Sequence, residues 1–191
     1  MLKDILLDNR SYRSFDPRVR LTKAQLMDMI AHARLTPSST NLQALKFYLS
    51  SDGQTNEKIM PLTRWAGLLK ECELPPKGHG PVAYIVVCID KSLAENSTPF
   101  LKDVGIAAHT ILLRAAETGL GGCMIGSFDR KRLCENLGLD ADMEPHLVIA
   151  LGKPDETVIL EDAAQGEPVA YYRTADGIHH VPKRSVKEMI L

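Results

Sequence analysis

Apolar residues at helical spacing predict a short helix over residues 2–8 and a second helix over residues 22–34. Thr22 and Gln25 have the spacing of a capping box, so the second helix is expected to begin at Thr22. The pattern also predicts helices over residues 55–72, 98–118, 130–137 and 184–190.

Short apolar runs bounded by turn residues predict the strands. Residues 82–89 are apolar without interruption and rich in β-branched side chains, which is typical of a strand buried on both faces. Residues 72–81 are rich in proline and glycine and form either a lid or a simple connection. The remaining predicted strands are residues 47–50, 122–128, 146–151, 169–173 and 178–181.

The helix predicted over residues 98–118 carries apolar side chains around nearly its whole circumference. Such a helix is expected to be central and buried, and its many alanines permit close packing against a neighbour, which includes another subunit. His109 within it is expected to be a hydrogen-bonded core residue. His179 and His180, adjacent on a strand, are expected to point to opposite faces.

Helices and strands alternate irregularly, which indicates an α+β or mixed α/β fold with one sheet between helices. The chain has 191 residues, a length that suits one domain spanning residues 1–191. A chain of this length buries a sizeable core without disulfides or a structural metal.

Composition narrows the class of partner. The formal net charge of -1 argues against a general nucleic-acid binder, although a local basic pocket for one phosphate remains open. No apolar run approaches the ~20 residues that cross a bilayer, and the first residues are too charged for a signal peptide. The four cysteines form no C-x-x-C pair, so we expect free thiols, no metal site and a cytoplasmic location.

The common catalytic and nucleotide-binding motifs are missing. The chain contains no glycine-rich dinucleotide or P-loop fingerprint and no G-x-S-x-G elbow. The six histidines show no H-x-x-x-H spacing, so a zinc hydrolase is not expected.

Four short segments remain as candidates for chemistry, and each has a plain structural explanation as well. Arg10–Arg13 offers two guanidiniums and a hydroxyl for a phosphate, but alone it also suits a solvated basic turn. The polar loop Pro37–Gln43 could bind the edge of a heterocycle or simply connect a helix to a strand. Gly121–Phe128 could let backbone approach a flat ligand, or stop a helix before a strand. Lys183–Arg184 is a basic pair at a helix start, where an anion would explain its position.

In their order and spacing these segments resemble the nitroreductase family of FMN-dependent oxidoreductases. The resemblance extends from about Ile5 to Gly152, and loosely to the C-terminus. The matching pieces are Arg10-Ser11-x-Arg13-x-Phe15, Ala33 to Asn41 with Gln43, Asp103-x-Gly105 through Gly121, Ile125-Gly126-x-Phe128 and Ala150 to Pro154.

The resemblance implies a single α+β domain with a central mixed, mainly antiparallel sheet flanked by helices. It also implies FMN as cofactor, NADH or NADPH as reductant, and a ping-pong reduction of nitroaromatics, quinones or similar acceptors. The family is implied to be homodimeric, with FMN at the subunit interface. The cofactor performs the chemistry, so no catalytic side chain is expected.

The resemblance also implies which residues of this chain bind FMN, one matching segment at a time. Arg10 and Ser11 would bind the FMN phosphate, while Arg13 would lie by the ribityl chain and the pyrimidine edge and tune the ring electrostatically. The remaining implied ligands are Pro37, Ser38, Ser39 and Asn41 across the dimer interface, Met124, Ile125 and Gly126 near flavin N5, and the basic pair Lys183 and Arg184 at the phosphate.

Two departures from the family pattern bear on substrate preference. Gln43-Ala44-Leu45 stands where members often have Gln-Pro-Trp, and Gly126-Ser127 stands where well-known members have a glutamate-glycine pair. A further FMN ligand that members place mid-chain is not identifiable in residues 54–81. Two alternatives therefore stay open: another flavin reaction on the same scaffold (dehalogenation, ene reduction or flavin fragmentation), or a non-catalytic FMN-binding protein.

Overall fold

The computed structural model describes residues 1–191 and contains six helices and seven strands. The helices are α1 (Leu2–Asp8), α2 (Lys23–Ala33), α3 (Gly53–Ile59), α4 (Leu101–Glu117), α5 (Arg130–Leu137) and α6 (Val186–Met189). The strands are β1 (Leu45–Ser50), β2 (Ala83–Asp90), β3 (Gly121–Ile125), β4 (Met143–Gly152), β5 (Val158–Asp162), β6 (Tyr172–Arg173) and β7 (His179–Lys183).

The central sheet has four antiparallel strands in the order β1-β2-β4-β3. A second sheet, in the order β5-β7-β6, pairs β5 with β7 in parallel and β6 with β7 antiparallel. The α+β class and the mainly antiparallel pairing are thus confirmed. The expectation of only one sheet is wrong, because residues 158–183 pair among themselves.

The central sheet is buried on both faces. Ile85 and Val87 of β2 belong to the larger core cluster, which includes residues of α2 and α4. Tyr84 and Val86 of the same strand belong to the smaller cluster, which includes Ile59 at the end of α3 and residues of α5. All eight residues of β2 are buried, as its continuous apolar run predicts.

The segment that follows α1 lies along the free edge of β3. Ser11 forms a parallel bridge with Gly122, and the Tyr12 amide donates to the Gly122 carbonyl over 3.0 Å. Phe15 is fully buried and bridges to Pro154 beyond β4. This pairing places the basic residues of the segment beside the β3 edge of the sheet, where the candidate site lies.

The predicted helix starts are confirmed at two positions. The Thr22 hydroxyl accepts a hydrogen bond from the Gln25 amide, and the Gln25 side chain accepts one from the Thr22 amide. The Asp129 carboxylate accepts a hydrogen bond from the Arg132 amide at the start of α5.

The prediction of one helix over residues 55–72 is wrong beyond its first part. After α3, a single 3-10 turn over Met60–Leu62 contains Pro61, which has no amide hydrogen to continue a helix. Thr63 is then extended and bridges to Phe128, so the chain leaves the helix direction. Irregular structure continues until β2 begins.

Helix α4 is not buried all round within one chain, contrary to the prediction. One face packs into the core through residues such as Ile111 and Ala108, which are fully buried. The opposite face, which carries Gly105, Ile106 and His109, is exposed. His109 is therefore not a core residue. No helix of the chain has the length and apolar character that crossing a bilayer requires.

Candidate cofactor site

A cavity of about 350 Å³ lies between the segment after α1, helix α4, strand β3 and the second sheet. Twelve residues line it, and five of these are among the predicted cofactor ligands. Those five are Arg10, Ser11, Arg13, Met124 and Lys183. The fold thus brings together residues from three distant parts of the sequence.

Arg10 enters the cavity from the end of α1. Its Nη2 donates to the Leu6 carbonyl over 2.5 Å, one of the carbonyls that the end of α1 leaves without an intrahelical partner. Its Nε is buried and has no hydrogen-bond partner within the protein. A buried charged donor without a partner is costly, so this atom fits an anionic ligand that would supply the acceptor.

Arg13 is held more firmly. Its Nη1 donates to the Ser11 carbonyl over 3.1 Å and lies 3.1 Å from Nε2 of His179. The guanidinium also lies over the ring of Tyr171, 5.1 Å from the ring centre, as in a cation–π contact. The side chain is buried, and these neutral groups fix where it points.

The backbone around Arg13 is fixed by a buried acid. The carboxylate of Glu156 accepts hydrogen bonds from the amides of Arg13 and Ser14, the latter over 3.1 Å. The same carboxylate pairs with Arg173, and its side chain is nearly inaccessible to solvent. Glu156 therefore neutralises Arg173 and positions the Arg13 backbone, while the Arg13 guanidinium makes no ion pair with a carboxylate.

His179 is the part of the site that the sequence analysis missed. It lies on β7, only 1% of its surface is exposed, and its ring lies 5.3 Å from that of Tyr171. Burial lowers the pKa of His179 to about 4, and the nearby charges of Arg13, Arg173 and His180 act in the same direction. The neighbouring His180 instead pairs with Glu161 and stacks on Tyr172, which confirms that the two histidines face opposite ways.

The residues that line the cavity suit a ligand with an anionic group and an apolar part. Arg10, Arg13 and Lys183 are cationic, and Ser11 adds a hydroxyl. The apolar part of the wall consists of Leu112, Met124, Val158, Tyr171 and Val181. Because guanidiniums and hydroxyls bind phosphate through charge-assisted hydrogen bonds, the residues present fit the phosphate of a flavin nucleotide.

The residues of β3 divide between the cavity and the core. Met124 lines the cavity, whereas the side chain of Ile125 is buried in the smaller core cluster, so only its backbone is left for a ligand. Gly126 is exposed, and a Cβ added there would meet nothing within 4 Å. At Gly122 a Cβ would clash with the Ala150 carbonyl oxygen, so close packing already explains that glycine.

The predicted polar loop lies elsewhere on the same chain. Pro37 and Ser38 line a separate cavity of about 210 Å³, while Asn41 is exposed. Buried Asp103 of α4 anchors the loop, because its carboxylate accepts hydrogen bonds from the Ser38 hydroxyl at 2.8 Å and from the amide and hydroxyl of Ser39, both at 2.9 Å. The loop residues with positive φ are Thr40, Asn41 and Gln43.

Two further expectations concern positions away from the cavity. Arg184 is exposed, does not line the cavity, and lies 3.9 Å from Glu188. None of residues 54–81 lines the cavity either, although the Leu68 amide donates to the Tyr171 hydroxyl over 3.4 Å. The irregular segment after α3 thus contacts one residue of the cavity wall.

Comparison with known proteins gives consistent matches. The model of the nitroreductase family matches residues 6–153. An oxygen-insensitive NADPH nitroreductase of Helicobacter pylori is 26% identical over 182 residues, and the alignment covers 79% of this chain and 86% of that protein.

Solved structures give the same picture. A nitroreductase family protein from Streptococcus pneumoniae superposes with a TM-score of 0.69 at 18% identity, covering 88% of this chain and 96% of that one. An FMN-dependent nitroreductase from Clostridium difficile superposes with a TM-score of 0.65 at 26% identity, covering 81% of this chain and 88% of that one.

Proposed function

The chain belongs to the nitroreductase family, and from this membership and the cation-lined cavity we propose that it is an FMN-dependent oxidoreductase using NADH or NADPH to reduce nitroaromatics, quinones or similar acceptors. The observation that carries the proposal is the meeting of Arg10, Ser11, Arg13, Met124 and Lys183 in one cavity. Relatives named as an NADPH nitroreductase and an FMN-dependent nitroreductase support the choice of reductant and cofactor.

At the phosphate end, Arg10 and Ser11 are the proposed ligands, with Lys183 from β7 on the same cavity wall. The unpartnered Nε of Arg10 supports this role, because a phosphate oxygen would supply the acceptor it lacks. Arg184 would need a different side-chain conformation to join them, since its guanidinium lies near Glu188.

At the ring end, Arg13 is the proposed neighbour of the pyrimidine edge. Bound FMN would supply the redox chemistry, accepting a hydride from NAD(P)H and reducing the acceptor in a separate step, as a ping-pong cycle requires. A fixed cation stabilises negative charge that develops beside it, so Arg13 would favour the reduced state. Met124 and the backbone of Ile125 and Gly126 are the proposed surface along the ring, and no side-chain acid or base is assigned.

We also propose a homodimer with FMN at the subunit interface. The exposed face of α4 supports this, since Ile106 is 38% exposed there and His109 both borders the cavity and lies on that face. A second subunit on this face would close the cavity. It would also explain how Pro37, Ser38, Ser39 and Asn41, which lie away from the cavity of their own chain, could contact FMN.

The cytoplasm is the proposed location. All four cysteines are free thiols, and two of them, Cys88 and Cys123, are buried. Reduced cysteines are the normal state in a compartment that also supplies NADH and NADPH. Small molecules are the only partners proposed besides a second copy of the chain.

The deciding experiment begins with the absorbance spectrum of the purified protein, where a flavin spectrum is expected after FMN is added. Anaerobic addition of NADH or NADPH should then bleach the flavin absorbance, and a nitroaromatic or quinone should restore it. Steady-state rates at varied concentrations of both substrates should give parallel double-reciprocal lines.

The outcomes separate the alternatives. Failure to bind FMN would contradict the whole proposal. FMN binding without bleaching by either nicotinamide would indicate a non-catalytic flavin protein, and bleaching without transfer to nitroaromatics or quinones would indicate a different flavin reaction on this scaffold.

A further inference from the structure

We propose that His179 is a positioning residue for Arg13, accepting a hydrogen bond from its guanidinium and so fixing the direction in which this cation meets a bound flavin. The inference rests on the proposed function, because it concerns the same cavity. It adds to that function a residue from the C-terminal sheet, 166 positions away from Arg13 along the chain.

The geometry leaves a defined part of the guanidinium free. Nη1 of Arg13 has two acceptors, the Ser11 carbonyl and Nε2 of His179, each at 3.1 Å. Nε of Arg13 is buried without a partner, and Nη2 makes no hydrogen bond within the protein. Elsewhere in the chain, Arg18 uses its Nε and Nη2 to bind both oxygens of Asp16, at 2.9 and 2.8 Å. A ligand with two acceptor atoms could bind Nε and Nη2 of Arg13 in the same way. His179 therefore occupies Nη1, the nitrogen that such a ligand does not need.

His179 can play this part only as a neutral imidazole, because a protonated ring has two donors and no acceptor. The charged and titratable groups near His179 are Arg13, Arg173 and Tyr171, together with the adjacent His180, whose ring lies on the opposite face of β7. Burial opposes protonation most strongly, and the charges of Arg13, Arg173 and His180 act in the same direction. With Nε2 as acceptor, the ring proton belongs on Nδ1, which is itself buried without a partner.

The direct partners of the Arg13 guanidinium are neutral, which gives the arrangement a function beyond packing. Buried cations are usually paired with carboxylates, and here the buried carboxylate of Glu156 is used by Arg173 and by backbone amides. Arg13 is oriented by a carbonyl, an imidazole and an aromatic face, none of which cancels its charge. Its full charge thus remains available to a ligand, which suits stabilisation of a reduced flavin.

The test compares two substitutions of His179 in the FMN-loaded protein. His179→Leu removes the acceptor, whereas His179→Gln keeps a side-chain oxygen that can accept from Arg13. We expect His179→Leu to move the flavin midpoint potential to more negative values and to weaken FMN binding about tenfold. We expect His179→Gln to restore most of both.

A double-mutant comparison separates positioning from general stability. In an Arg13→Met background, His179→Leu should leave the midpoint potential unchanged, because there is no longer a cation to orient. An equal shift with and without Arg13, or no shift in either background, would overturn the inference while leaving FMN binding and turnover, and hence the proposed function, intact.

A measurement on the unsubstituted protein remains decisive if the variants fail to fold. Nitrogen chemical shifts of the imidazole, recorded by NMR at pH 7 with FMN bound, should identify a neutral His179 ring with its proton on Nδ1. A proton on Nε2, or a doubly protonated ring, would contradict the proposed hydrogen bond. Absence of any FMN binding would instead contradict the proposed function.

Discussion

Arg10 and Arg13 enter the same cavity with different degrees of constraint. Arg10 is half-buried and holds one carbonyl at the end of α1, whereas Arg13 is buried and bonded to two acceptors. The freer side chain suits a phosphate, whose oxygens can be approached from many directions. The constrained one suits a planar edge, which must be met in one orientation.

Substituting these arginines should therefore have different effects. Arg10→Ala should weaken FMN retention about 10- to 100-fold, because it removes charge-assisted hydrogen bonds to the phosphate. Arg13→Ala should chiefly lower the flavin midpoint potential and slow reduction by NAD(P)H. Equilibrium FMN titration and anaerobic potentiometry measure the two effects.

Arg18→Ala is a suitable control, since Arg18 is exposed and pairs only with Asp16. It should leave both FMN retention and the potential near those of the unsubstituted protein. Equal loss of cofactor in Arg10→Ala and Arg13→Ala, with no difference in potential, would contradict this division of roles.

Gly122 in β3 and Gly126 just after it offer a matched pair for testing why this segment carries glycine. Gly122→Ala should lower the free energy of unfolding by about 1–3 kcal/mol, because its Cβ would clash with the Ala150 carbonyl oxygen and lie 2.8 Å from Leu112. Gly126→Ala should leave the stability of the FMN-free protein nearly unchanged, since nothing lies within 4 Å. Urea unfolding measures both.

The same pair reports on the cofactor. If the flavin ring passes along Gly126, Gly126→Ala should weaken FMN binding even though the fold is unaffected. Unchanged FMN affinity in Gly126→Ala would remove Gly126 from the proposed ring surface.

Site residues can be predicted from the sequence where residues adjacent in the chain line the same cavity. Arg10, Ser11 and Arg13 form one short segment, and the structure brings all three to one cavity. His179 and Tyr171 reach that cavity only through the pairing of β7 with β5 and β6, and no local pattern marks them. An apolar helix face buried in a core and one left exposed for a partner have the same sequence pattern. The pattern of α4 therefore predicts a core position for His109, which is exposed in the structure.

Among the connecting elements, the polar loop depends on one side chain of α4. Asp103→Ala should lower the free energy of unfolding by about 2–4 kcal/mol, because three hydrogen bonds from Ser38 and Ser39 lose their acceptor. The loop should also become sensitive to proteolysis near Asn41. Urea unfolding and limited digestion measure these effects.

Lys102→Ala on the same helix is the control, because Lys102 is exposed and should cost less than ~0.5 kcal/mol. A stable, protease-resistant Asp103→Ala variant would show that the loop holds its shape without this anchor.

Helices and strands that a few adjacent residues define could be predicted from the sequence. Pairing between strands that are distant in the chain could not. The capping box at Thr22 and the apolar run of β2 define their elements from a few adjacent residues. No local pattern predicts strand β5, since its five residues have mixed exposure without clear alternation and the strand exists only by pairing with β7. The helix predicted over residues 55–72 ended early at Pro61, where tertiary pairing of Thr63 takes over.

For the whole molecule, burial of His179 couples stability to pH. Its pKa is lowered from 6.5 to about 4 in the folded protein, so below pH 6.5 the unfolded chain binds a proton that the folded one does not. The stability present above pH 6.5 should therefore fall as the pH drops toward 4, by about 3 kcal/mol from this residue, and this contribution should level off below that.

Urea unfolding at several pH values tests this, with His179→Gln as the comparison because glutamine does not titrate. The variant should lose less stability than the unsubstituted protein between pH 6.5 and 4. Identical pH profiles would mean that His179 does not resist protonation in the folded state.

The proposed dimer is a further property of the whole molecule, and the sequence only suggests it. Ile106→Asp should convert the proposed dimer to monomers and reduce FMN retention, since a charge on the exposed face of α4 would have to be buried at the interface. Sedimentation velocity measures the change. Ile159→Asp is the control, because Ile159 is also 38% exposed but lies on β5. A dimer that survives Ile106→Asp would place the interface elsewhere.

The pairing of Ser11 with Gly122 has a consequence for solubility. Strand β3 is an edge of the central sheet, and an uncovered edge offers free amides and carbonyls to the strands of other molecules. The segment that covers this edge carries Arg10, Ser11 and Arg13. The same piece of chain therefore protects the edge of the sheet and supplies the proposed cofactor ligands. A flavin bound there would hold this segment against β3. Protein without flavin would therefore be the form most prone to edge-to-edge aggregation.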